Sequence, residues 1–403
     1  MDFDSCWSPL AAIGRLPAGG YRRYAWTPED LAARAWFADQ AKARGMDVET
    51  DRNGNLWAWW GGPDRDAVVT GSHLDTVAGG GAYDGALGVV SGFCAVDLLR
   101  ERDFRPGRPI AVTAFSDEEG GRFGVACVGS RLLTGALDPE AARALTDQDG
   151  VTLAEAMAAA GADPDALGRD PEALARLGTY VELHVEQGRA LVDADSPIGV
   201  GTGIWPHGRW RYDLRGEANH AGTTRLADRR DPMPVAAALI EAARLQAEAL
   251  GGVATVGRVT VEPNSTNAIP SAASLWLDAR AADPAALRAI VDGVTAAAEA
   301  AAGPHGVEVV SRVESESPAV VFDEELCGKV AAAVRARGHD EVPRLPTAAG
   351  HDAGILAAAP VPVAMLYVRN PTGVSHSPAE HAERADCLHG VGALAAVLAE
   401  LAG

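Results

Sequence analysis

Apolar and polar positions alternate along this chain in two distinct styles. Residues 28–44 repeat apolar side chains at helical spacing, predicting an amphipathic helix. The run 66–72 (DAVVTGS) is short and apolar, as strands buried in an α/β sheet usually are. A second helix is expected over 85–100, then strands over 109–115 and 179–183. Strand, helix and strand in that order predict an α/β fold. Its sheet should be mostly parallel, with helices covering both faces.

The style changes after Ile198-Gly199-Val200-Gly201-Thr202-Gly203, which reads as a Gly-rich turn. An alternating strand is expected over 209–215, then an Ala-rich helix over 234–250. Strands over 254–261 and 273–280, a helix over 284–302 and a strand over 307–313 follow. This is the pattern of a smaller α+β domain, residues 204–316, inserted into a larger one formed by 1–203 and 317–403. A last helix is expected over 382–401.

The 403 residues suffice for two domains. A formal net charge of -20 argues against nucleic acid or an anionic membrane as partner, because both need a basic face. Any site for an anionic substrate must then build its own positive charge. The five cysteines are scattered without a CxxC pair, so a reducing compartment is expected rather than a disulfide framework. The N-terminus MDFDSC lacks the basic and apolar regions of a secretory signal, and the apolar stretches read as too interrupted for a membrane span. These features predict a cytoplasmic protein.

Acids and histidines cluster where predicted strands end, the edge at which open α/β sheets bind ligands. His73 leaves a strand in GSHLDTV, with Asp75 two residues on and Asp84 in the Gly-rich turn AYDG. Asp75 is placed to hold the imidazole in a metal-binding tautomer, and Asp84 to bridge two cations. A surface turn with an Asp cap would also explain HxD. In SDEEGGRFG, Glu118 and Glu119 follow an apolar strand. One can ligate a metal while the other moves a proton. An acidic helix start explains one such carboxylate better than three in a row. His184 stands at a strand end in HVEQG. His376 lies in the Gly/Pro-bounded turn SHSPAEH, where Glu380 fits a first-turn helix acid equally well. Arg280, closing LWLDAR, could grip a carboxylate with its bidentate fork or simply end a strand at the surface.

In sequence order GSHLDTV, GGAYDGALGV, SDEEGGRFG, HVEQG, GEANHAGTT, PNSTNAIP, LDAR, GHDAG and SHSPAEH run through nearly the whole chain. This series resembles the hydantoinase/carbamoylase branch of the dinuclear-zinc aminoacylase and carboxypeptidase superfamily. That branch holds N-carbamoyl-L-amino-acid hydrolases, allantoate amidohydrolases and β-ureidopropionases. The resemblance implies two divalent metal ions (zinc, or manganese, cobalt or nickel) bridged by Asp84. His73 and His184 would complete one ligand set, and Glu119 and His376 the other. It implies Glu118 as general base, Asp75 as the orienter of His73, and Gln187, Asn267, Arg280, Gly350 and His351 as substrate contacts. His220 would reach the neighbouring subunit of a homodimer, formed through the inserted domain, to stabilise the oxyanion. His184 stands where the superfamily's peptidases usually carry a carboxylate, which makes the site more positive.

The reaction so implied is hydrolysis of the C–N bond of an N-carbamoyl (ureido) carboxylate, with release of ammonia. Two divalent ions would exceed the charge of Asp84 and Glu119 and draw the pKa of a bridging water towards neutrality. A substrate cleft between the domains, closing to exclude water, is expected. An alternative is a metallo-aminoacylase or dipeptidase cleaving an N-acyl amino acid, which would favour a carboxylate at position 184. A ligand-binding protein that has lost catalysis would lack the base or a ligand, and here all are present. Where relatives often read NHAGTTPM, this chain has Arg225. Its charge near the expected site would favour a substrate with an extra polar or acidic group. The remaining histidines, His207, His305, His339, His381 and His389, are expected to be ordinary surface or packing residues, with His207 the one to watch because it precedes the inserted domain's first strand.

Overall fold

The computed structural model describes residues 2–64, 66–338 and 341–403, so His339 lies outside the described residues. Two compact units result, one running up to Gly203 and resuming over Val321–Gly403, the other spanning Ile204–Val320.

In the first unit β1 (Asp47–Thr50), β2 (Leu56–Trp60), β3 (Ala67–His73), β4 (Ile110–Phe115), β5 (Leu177–Val185) and β6 (Ile198–Ile204) come in chain order. The second unit supplies β7 (His207–Arg215), β8 (Asn219–His220), β9 (Val253–Glu262), β10 (Ala268–Ile269), β11 (Ala272–Arg280) and β12 (Glu308–Ser317). The chain then adds β13 (Val320–Val321), β14 (Arg344–Thr347) and β15 (Val363–Val368).

The large sheet has the order β1-β2-β4-β3-β5-β15-β6-β13, with β14 also paired to β6. Its centre is parallel, β3 running with both β4 and β5, and β5 with β15. The flanks are antiparallel at β1–β2, β2–β4 and β15–β6. Every residue of β3, β4 and β15 is buried, which is why these strands read as unbroken apolar runs. The helix Pro28–Ala43 begins where expected because Thr27 caps the Asp30 amide and Pro28 presets the first turn.

One expectation fails here. The Gly-rich segment read as a turn is strand β6. Its glycines are spaced by two along a buried strand, so they mark close approach rather than a chain reversal. A Cβ on Gly199 would stand 2.9 Å from Leu191, and one on Gly201 would stand 2.8 Å from Met365. The C-terminal helix Arg384–Ala402 is long and apolar enough to cross a membrane, which the sequence reading did not anticipate. Its Cys387, Val391, Leu394 and Leu398 are fully buried, and it packs on the helix Ala86–Glu101 and on β15.

The second unit is an antiparallel sheet in the order β12-β7-β11-β9, with a small β10–β8 ribbon. β11 alternates strictly, with Ala273, Leu275, Leu277 and Ala279 buried against the helices Met233–Leu250 and Pro284–His305. Each buried leucine contributes about 1.5–3 kcal/mol relative to an exposed one. The opposite face carries Ser274, Trp276, Asp278 and Arg280, with Arg211 and Arg258 stacked on Trp276.

Candidate metal centre

His73 is the last residue of β3, and His184 lies one residue before the end of the adjacent parallel strand β5. Their rings lie 6.0 Å apart. Each ring is fixed from behind by a carbonyl. His73 Nδ1 lies 3.1 Å from the Asp75 oxygen and His184 Nδ1 lies 2.9 Å from the Val185 oxygen. A carbonyl only accepts, so both Nδ1 atoms carry a proton and both Nε2 atoms face inward. Asp84 Oδ1 meets them at 3.6 Å and 3.2 Å.

Asp84 sits in the turn before the helix Ala86–Glu101. Gly85, at φ 64°, makes that turn, and a Cβ there would lie 2.5 Å from the His73 ring. The other oxygen of Asp84 faces a loop. His376 Nε2 is 3.4 Å from Asp84 Oδ2 and 3.4 Å from Glu119 Oε2. His73, Asp84 and His184 form one group able to hold a metal ion, and Asp84, Glu119 and His376 form a second. A third, Glu182, His184 and His351, shares His184 with the first.

The charges fit a cationic occupant. Burial works against ionisation of Asp84, but the imidazoles of His184, His376 and His73 around it outweigh that and hold this carboxyl well below the usual range. Burial, reinforced by Asp84, pushes Glu119 up to about 7. Glu119 Oε1 is buried with no hydrogen-bond partner, an acceptor that a cation would satisfy. Nitrogen and carboxylate donors on two sides of one shared carboxylate suit first-row divalent ions.

Glu118 is buried, with Oε2 3.7 Å from His73 Nε2. Burial raises its carboxyl well above the usual range, and Asp352 and Glu119 add to the effect while His73 opposes it. The Asp75 carboxylate does something the sequence reading did not foresee. It accepts the amides of Glu118 at 3.1 Å and Glu119 at 3.0 Å, whereas His73 is gripped more closely by the Asp75 backbone. Asp75 therefore braces the two glutamates as well as the imidazole.

Gln187 joins this centre, donating to Asp84 Oδ2 at 3.0 Å and to Ser375 Oγ at 3.1 Å. The His351 ring packs 4.5 Å from that of His184, and burial beside His184 keeps it neutral, well below its ordinary pKa. Gly350 precedes it and is exposed.

His220, Asn267 and Arg280 belong to the second unit. The β8–β10 ribbon brings His220 and Asn267 together, with the Asn267 carbonyl accepting the Ala221 amide at 3.1 Å. Arg280 pairs with Asp278 at 3.0 Å, directly across from His207 on β7. Arg225 is exposed and pairs with Asp228 at 2.6 Å.

Glu380 was misplaced by the sequence reading. The last helix starts only at Arg384, so Glu380 is no first-turn acid. It is buried and accepts the amides of Tyr83 at 2.9 Å and Asp84 at 3.0 Å. The one sequence signal for it was the run Gly79-Gly80-Gly81, because a Cβ on Gly81 would strike the Glu380 carboxyl at 2.2 Å.

Comparison with known proteins agrees with this geometry. Residues 64–400 match the model of peptidase family M20/M25/M40. The N-carbamoyl-L-amino acid amidohydrolase of Geobacillus stearothermophilus is 38% identical, over 94% of this chain and 93% of its own. The allantoate amidohydrolase of Escherichia coli is 31% identical, over 98% of this chain and 96% of its own. The solved structure of a hydantoinase/carbamoylase family amidase from Burkholderia ambifaria superposes with a TM-score of 0.85 at 33% identity, covering 100% of this chain and 98% of that one. The chain belongs to peptidase family M20/M25/M40, and its neighbours within that family are hydantoinase/carbamoylase amidases.

Proposed function

We propose that this chain hydrolyses the C–N bond of an N-carbamoyl (ureido) carboxylate and releases ammonia. The observation that carries the reading is the meeting of two donor sets on Asp84, with the buried carboxyl of Glu118 beside them. The amidohydrolase relatives, named for N-carbamoyl-L-amino acids and allantoate, supply the substrate class.

His73, Asp84 and His184 would hold one divalent ion, and Asp84, Glu119 and His376 a second. Zinc, manganese, cobalt and nickel all suit these donors. Such ions, when bound, supply Lewis acidity to the poorly electrophilic ureido carbonyl and acidity to water. Glu118 takes the proton of the attacking water as its oxygen bonds to the carbamoyl carbon. It then delivers that proton to the nitrogen as the C–N bond breaks, so that nitrogen leaves as ammonia. Glu118 is buried beside the donor sets, where one carboxylate can take up the proton and return it. Asp75 keeps Glu118 in place through its amide.

In the second unit the substrate contacts fall to Arg280, which would grip the carboxylate, and Asn267; in the first unit they fall to Gln187, Gly350 and His351. Ile204–Val320 serves as the dimerisation unit, and His220 of one protomer stabilises the oxyanion in its partner. Light scattering on the full chain tests the dimer, and a monomeric mass would remove that role for His220. The reaction is tested by ammonia release from N-carbamoyl-L-amino acids, allantoate and N-carbamoyl-β-alanine, beside an N-acetyl amino acid. Metal-dependent ammonia release that is lost in Glu118→Gln supports the reading. Cleavage of the N-acetyl compound alone would replace it with an aminoacylase.

A further inference from the structure

The two histidines at the strand ends need no latch, because the sheet itself positions them. His376 differs. It lies on an irregular loop at φ 54°, and its side chain is 51% exposed. Something must hold that loop against Asp84 for the second donor set to exist.

Glu380 makes that connection. Its Oε1 accepts two consecutive amides, Tyr83 at 2.9 Å and Asp84 at 3.0 Å, and its Oε2 accepts Ser375 Oγ at 3.2 Å. Ser375 also accepts from Gln187, whose amide nitrogen donates to Asp84 Oδ2. Asp84 is thus held at its backbone by Glu380 and at its side chain by Gln187, with Ser375 closing the ring next to His376. Burying a carboxylate is costly unless its oxygens are satisfied, and here both are. Asn370 shapes the same loop by bonding Thr372, Gly373 and Val374. Those bonds are internal to the loop and do not tie it to Asp84.

We propose that Glu380 is a positioning residue that fixes Asp84 relative to His376, so that the loop-borne donor set depends on it and the strand-borne set does not. This inference rests on the metal-holding reading above. The test is zinc binding to the chelator-stripped full chain, by competition with a chromophoric chelator and without substrate. Wild type should bind two equivalents. In Glu380→Ala the first should bind as before and the second about 10- to 100-fold more weakly, the usual effect of losing a group that orients a ligand. Glu380→Gln should restore the second equivalent, since its carbonyl oxygen can still accept both amides.

Two tight equivalents in Glu380→Ala would overturn the proposal, as would equal weakening of both. If circular dichroism shows Glu380→Ala unfolded, Glu380→Asp takes its place. Its shorter side chain should weaken the second equivalent, and unchanged binding would overturn the proposal. Wild type binding no zinc would instead overturn the metal-holding reading, and this inference with it.

Discussion

The strand-borne and loop-borne halves of the centre reach one carboxylate by different means. His73 and His184 are at most 1% exposed and stand on neighbouring parallel strands, each with its outer nitrogen pinned to a carbonyl. His376 stands half exposed on a loop, and its position relative to Asp84 rests on side-chain hydrogen bonds. A sheet fixes donors cooperatively, because moving one strand breaks many bonds at once. A loop fixes them through a few named contacts, each removable by one substitution. The first half should therefore resist perturbation and the second should yield to it.

The largest effect is expected where the halves meet. Asp84→Ala removes the shared donor, so metal content measured after dialysis should fall for both sets. Ammonia release should fall by more than in any variant that spares the metals. Glu118→Gln is that sparing variant. It should lose about 10²- to 10⁴-fold in kcat, the range of general acid–base contributions, while keeping its full metal content. Loss of metal in Glu118→Gln would show that Glu118 is itself a donor, and the division into two sets would have to be redrawn.

Chelation sharpens the comparison further. Metal should leave in two phases on exposure to a chelator, the faster phase from the exposed His376 side and the slower from the buried pair. Stopped-flow with a chromophoric chelator reads both, and a single phase would contradict the distinction. Rebinding should also stabilise the first unit, by about 2.7 kcal/mol for an ion supplied at a hundred times its Kd. Denaturant titrations with and without metal would measure this.

The sequence was legible where one physical cause dominated. β3 and β4 are buried on both faces, so their apolar runs point to a parallel sheet. β6 was missed because its alternate glycines mean close approach to Leu191 and Met365, and a glycine's neighbours in space are invisible in sequence. At the centre, residue types at strand ends announced metal chemistry, but only family resemblance ordered them into two sets around Asp84. Glu380 went unseen for a related reason. Its partners lie almost three hundred positions away, at Tyr83 and Asp84, and nothing in SPAEH distinguishes a latch from a helix-start acid.

The smallest effect is expected at Arg225, where this chain departs from the NHAGTTPM pattern. The sequence predicts that the Arg225 charge, near the expected site, favours a substrate with an extra polar or acidic group. In the structure that charge meets Asp228 three residues on, with Nε at 2.6 Å and a second guanidinium nitrogen at 3.0 Å. The pair is exposed, and exposed pairs contribute only about 0.2–1 kcal/mol. Arg225→Ala should therefore leave metal content and stability nearly unchanged. The ratio of kcat/KM between an acidic and an aliphatic N-carbamoyl amino acid should move by less than about twofold, the equivalent of roughly 0.4 kcal/mol. A drop of tenfold or more confined to the acidic substrate would mean that Arg225 leaves Asp228 when substrate binds. Asp228→Asn should then raise the same ratio, because the competing partner is gone. Opposite shifts in these two variants would make Arg225 a determinant of substrate choice, and no shift in either would leave it an ordinary surface ion pair.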